Sequence, residues 1–161
     1  MANYTGANVI TTSDVLKYQP DAFSFGISTT ATETTNFLAQ TTNDILRQLR
    51  IEWWPVYKTN VFTDITVLNT AEMVDTKVNL DQFERAGVYL FLSRFYLPAL
   101  SKFRPETEKD RFERMAEHYA SEYNKEWRSI LEDGVEYDSD ASGTIAVNEK
   151  ESLHGYRRLN R

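Results

Sequence analysis

The chain has no cysteine. That excludes a disulfide framework, a thiolate nucleophile and a thiolate metal site, and it fits a reducing compartment. Long apolar runs are also missing: the longest, Ala86 to Leu92, falls far short of the ~20 residues that a membrane helix needs. The opening MANYTGANVITT carries neither a basic stretch nor an apolar one, so neither export nor membrane anchoring is expected. Histidine is limited to His118 and His154, which lie in separate segments. There is no GxSxG, no HExxH and no phosphate-binding glycine loop. With no catalytic constellation to name, no enzyme is expected. Net positive charge is lacking too. At −6 the chain as a whole repels nucleic acid and leaves only a local basic segment to touch it.

What is present is the composition of one soluble globular domain: 161 residues, 41% hydrophobic and 26% charged, enough for a sizeable core. The charge is uneven. Residues 131–140 (LEDGVEYDSD) carry five acids and no base, whereas 150–161 (KESLHGYRRLNR) carry Lys150, Arg157, Arg158 and Arg161 against Glu151 alone. An acidic hinge thus precedes a basic tail.

Periodicity predicts mostly helix. Residues 12–19 read as a short helix capped by Thr12 or Ser13 and limited by Pro20. The following Thr- and Ser-rich stretch to Thr35 reads as a connection. From about Asn36, the spacing of Leu38, Thr42, Ile45 and Leu49 gives one face of a helix that Pro55 should stop near Trp53. Residues 56–78 have no clean period and read as one long irregular excursion between helices, suited to an inter-subunit or lumen-facing loop. Asn79 and Gln82 then make a capping box before a central buried helix through Ala86–Leu92, kinked at Pro98. The last helix should start near Pro105. Its stripe of Phe112, Met115, Tyr119, Tyr123, Trp127 and Ile130 runs to Gly134. The expected architecture is mainly α: a small bundle of about four helices over residues 1–134, then an acidic loop and extended C-terminal tail over 135–161.

Two features ask for more than packing. Trp53 and Trp54 are adjacent, so one of them is expected near a surface as a partner-binding residue. The second is Tyr137–Glu149 (YDSDASGTIAVNE), which matches the twelve-position calcium loop of EF-hands. Asp138, Asp140 and Ser142 stand where side-chain oxygens are needed, Gly143 at the sharp turn, Thr144 where a carbonyl is offered, Ile145 at the apolar eighth place and Glu149 at the bidentate twelfth. The flanks argue otherwise, since Gly134 ends the incoming helix four residues early and no second loop exists to pair with this one. The plainer reading is an acidic turn in which Asp and Ser cap backbone donors. Calcium is a possible ligand there and not a required one.

Three stretches in order, NDILRQLRIEWWP at 43–55, LDQFERAGVYLFLSRFYLPALSKF at 80–103 and FERMAEHYASEYNKEWRSILEDGVEYDSDASGTIAVNEKE at 112–151, followed by a short basic tail, resemble the head-tail adaptor (head completion, or head-to-tail connector) proteins of tailed bacteriophages. The resemblance covers nearly the whole chain and contains no catalytic signature. It implies a small helical bundle in a homo-oligomeric ring, usually of twelve copies, beneath the portal vertex of the virion, assembled in the host cytoplasm. It further implies contacts with the portal protein and with a downstream neck or tail-completion protein, and a lumen that passes DNA without sequence-specific binding. The tail residues Tyr156, Arg157, Arg158, Leu159 and Arg161 would anchor on the portal. The alternative expectation is a calcium-binding protein-interaction module.

Overall fold

The structure, a computed structural model, describes residues 8–101, 110–146 and 149–151. It is mainly helical, a small helical bundle with one minimal strand pair. The chain divides into two compact units, one of residues 8–44 and 83–127, the other of 1–7, 45–82 and 128–161. In this division the segment after Gly134 groups with 45–82.

In the first unit, α1 (Thr12–Tyr18) starts at the expected residue, but its cap lies one residue before the expected Thr12. Thr11 is the cap: its hydroxyl oxygen accepts from the Asp14 N–H, while the Asp14 carboxylate accepts from the Thr11 N–H at 2.8 Å. Helix α2 (Thr32–Glu52) begins inside the Thr-rich stretch that composition assigned to a connection. Threonine is accommodated because its hydroxyl bonds backward: Thr34 donates to the Ser28 carbonyl, and Thr41 and Thr42 donate to the carbonyls of Phe37 and Leu38. The Thr42 oxygen also accepts from the Val9 N–H, tying the incoming chain to α2.

The central helix forms as expected, with every residue from Ala86 to Leu92 buried. It runs as α5 (Glu84–Leu90), a π-helical segment Phe91–Tyr96 and α6 (Leu97–Leu100). Pro98 offers no N–H to the Arg94 carbonyl, and the wider π turns lie immediately before it, where such a defect is taken up. Tyr96, fully buried in this segment, places its hydroxyl 2.9 Å from the Ala22 carbonyl and 2.8 Å from that of Ile27. One side chain thereby holds the connection between α1 and α2. Helix α7 is described from Arg111 to Asp133, and its expected start at Pro105 lies outside the described residues. Its stripe packs as read: Phe112 meets Phe25, Tyr119 stacks on Tyr89, and Trp127 meets Phe83 and Tyr123.

In the second unit the excursion at 56–78 proves largely helical. Helix α3 (Trp54–Val61) follows α2 almost directly, with Pro55 in its first turn where a missing N–H costs nothing. Helix α4 (Ile65–Thr70) also lies within it, capped by Asp64, which accepts from the Thr66 N–H at 2.8 Å. The capping box at Asn79 and Gln82 does not form. Asn79 accepts from the Asp81 N–H and donates to Glu136, and the Gln82 oxygen accepts from the Glu136 N–H, so both side chains serve a distant segment and residues Leu80–Phe83 make a 3-10 turn. Gly134, at φ 107°, ends α7 and turns the chain into β1 (Val135–Glu136), which pairs antiparallel with β2 (Lys150–Glu151).

Candidate functional site

The acidic loop hangs between β1 and β2, so a two-strand ribbon, not a pair of helices, enters and leaves it. Its root is fixed by Tyr137. That ring lies 5.7 Å from Trp53, 5.4 Å from Trp54 and 5.3 Å from Tyr57, and its hydroxyl accepts from the Val74 N–H. Burial pushes the Tyr137 hydroxyl pKa up, so it stays a neutral donor and acceptor. Trp53 and Trp54 are both buried, at 0% and 6% exposure. The expectation that one of them lies near a surface is thus corrected: adjacent residues at the α2–α3 junction close on the same box with Tyr57, and the Trp54 indole N–H is used on the Ala71 carbonyl.

Within the loop, the backbone donors converge on carboxylates. The two Asp138 oxygens accept separately from the N–H groups of Ser142 (2.9 Å) and Gly143 (2.8 Å), and Asp140 shares the Ser142 donor. Glu149 accepts through one oxygen from the N–H and hydroxyl of Ser139, both at 2.7 Å, and through the other from the Ala146 N–H at 2.9 Å. The Ala146 N–H and the Ser139 hydroxyl are the main causes that hold Glu149 below its ordinary value. Asp140 is held low by Ser142, through side chain and backbone. Gly143 and Ala141 adopt positive φ, 78° and 59°, which turns the intervening N–H groups inward. Lys77 caps the outside by donating to the Ser139 carbonyl.

The structure brings Asp138, Asp140 and Glu149 together, with one oxygen from each inside a 4.8 Å group. Calcium takes oxygens at about 2.3–2.6 Å, so two ligands on opposite sides of one ion stand roughly 5 Å apart, and the carboxylates fit that span. Ser142 instead directs its hydroxyl at Thr144, 3.0 Å from the carbonyl and 3.2 Å from the hydroxyl oxygen. An ion would recruit those two residues only by breaking that contact. Glu149 already has both oxygens engaged by N–H groups, which a bidentate metal contact would have to share.

Sequence reading did not single out Tyr137, Lys77 or Glu136, which hold the loop in place, and it took Asn79 for a helix cap. Tyr137 alone carried a signal, as the one aromatic residue between Trp127 and Tyr156. The tail residues Tyr156, Arg157, Arg158, Leu159 and Arg161 lie outside the described residues. His118 is exposed. None of the described helices is long and apolar enough to cross a membrane. No family model, curated protein or solved structure matches the chain.

Proposed function

We propose that the protein is a structural head-tail adaptor of a tailed phage, forming a ring under the portal that joins capsid to tail and lines part of the DNA conduit. The observation that carries this reading is the ordered set of stretches at 43–55, 80–103 and 112–151 on a mainly helical chain, which is the architecture such adaptors have. Its partners on this reading are further copies of itself, twelve in the ring, the portal and the next neck protein. The net charge of −6 suits a conduit that must not grip DNA. A tail ending in Tyr156, Arg157, Arg158, Leu159 and Arg161 binds weakly as one copy and firmly as a ring of copies. Mixing the purified chain with portal rings and imaging the product by electron microscopy should show a second ring on the portal. Folded protein that leaves portals bare rejects the adaptor assignment.

A second reading, a calcium ion at residues 138–149, is favoured by the convergence of Asp138, Asp140 and Glu149. On that reading the ion stiffens the turn between α7 and the tail. Millimolar calcium should then raise the thermal midpoint of the wild type and not that of Asp138→Ala, since ligand bound only to the folded state stabilises it by mass action. Equal midpoints with calcium and with chelator remove the ion from the account.

A further inference from the structure

Helix α4 lies at the surface along its whole length. None of its residues is buried, Ile65 is 71% exposed and Val67 42%, and Val61 and Val74 on either side are exposed as well. A six-residue helix has little stability of its own, and four exposed β-branched apolar residues between 61 and 74 are more than scattered surface hydrophobes. The same segment carries Asp64 and Glu72 and no Lys or Arg. Whatever covers it should be apolar and basic.

We propose that residues 61–74 are the docking surface for the chain's own C-terminal segment, residues 152–161. That segment carries Arg157, Arg158 and Arg161 with no acid, and interleaves them with Leu153, Tyr156 and Leu159. Charge and apolar content therefore complement those of 61–74. Reach is the second argument. Glu151 pairs with Val135, two residues before Tyr137, whose hydroxyl holds the Val74 N–H. Strand rise and strand spacing put the root of the tail on the order of 15–20 Å from Val74. About ten extended residues span roughly 33 Å, so the tail arrives with length to lie along α4. Where the adaptor reading also holds, the portal competes for the same arginines, and docking on it uncovers 61–74.

The absence of cysteine makes the test direct. A nitroxide on Leu159→Cys in the full chain, with Ile and Val methyl groups isotopically labelled and the labelled protein diluted into unlabelled wild type, should cut the Ile65 and Val67 signals at least twofold. Arg157→Ala with Arg158→Ala should restore most of that intensity, as should Glu72→Gln with Asp64→Asn, which keeps a capping oxygen on α4. Unattenuated Ile65 and Val67 signals overturn the proposal. So does attenuation seen only when nitroxide and isotope sit on different copies, which would make a second chain the occupant. No portal enters the experiment, so its failure and that of the adaptor assignment are separate results.

Discussion

Glu149 is buried to 3% exposure with both carboxylate oxygens on N–H groups, and it closes a loop whose other end is Asp138. Its pKa lies below the ordinary 4.5 in the folded chain, so folding favours the ionised form. The sign follows from linkage: this stabilisation is complete above about pH 4.5 and is lost as pH falls through the lower folded value. Glu149→Gln keeps the shape but puts an amide NH2 where one oxygen accepted, facing the N–H groups of Ser139 or Ala146. It should cost about 1–3 kcal/mol at neutral pH. Urea midpoints between pH 7 and pH 3 should show the wild type losing more on acidification than the variant, so that the two curves converge. Parallel curves would assign the low pKa no part in stability. At this scale the sequence told which carboxylates gather, because the spacing of Asp138, Asp140, Gly143 and Glu149 encodes a tight loop. It did not tell that Glu149 spends its oxygens on backbone donors, because that depends on the positive φ of Ala141 and Gly143.

Among elements, the legible ones have a face. Helix α7 and the α5 segment carry regular apolar residues, and the structure buries Ala86–Leu92 and, on α7, Tyr123, Trp127 and Ile130, with Phe112, Met115 and Tyr119 half-buried. Helices α3 and α4 were not legible because neither is held by an apolar stripe. The first is fixed by an aromatic box completed from residue 137, and the second is started by the Asp64 cap. Asn79 and Gln82 misled for a related reason: a capping box is a local pattern, and here both amides are drawn away by Glu136, more than fifty residues on. The Trp pair misled because adjacent side chains diverge on one continuous helix, whereas the α2–α3 junction lies between Glu52 and Trp54. For Asn79 and Gln82 a distant partner overrode a local preference.

For the whole molecule, the grouping of 45–82 with 128–161 predicts unequal truncations. Ending the chain after Glu151 should change the urea stability by no more than about 1 kcal/mol, the scale of a surface segment. Ending it after Gly134 removes fully buried Val135 and the Tyr137 ring, and should cost about 3–5 kcal/mol, as other losses of large core groups do. Equal stabilities would show that 135–151 is an appendage after all. The box around Tyr137 also bears on how the chain is made. Trp53, Trp54 and Tyr57 leave the ribosome about eighty residues ahead of the ring that covers them, and contacts so distant in sequence form late. Over those eighty or so residues of synthesis the three rings lack the Tyr137 ring that completes their box. A product cut short before residue 137 keeps that apolar face, the kind of surface that invites aggregation and chaperones. Closure of the box changes the surroundings of Trp53 and Trp54, so tryptophan emission is its natural reporter.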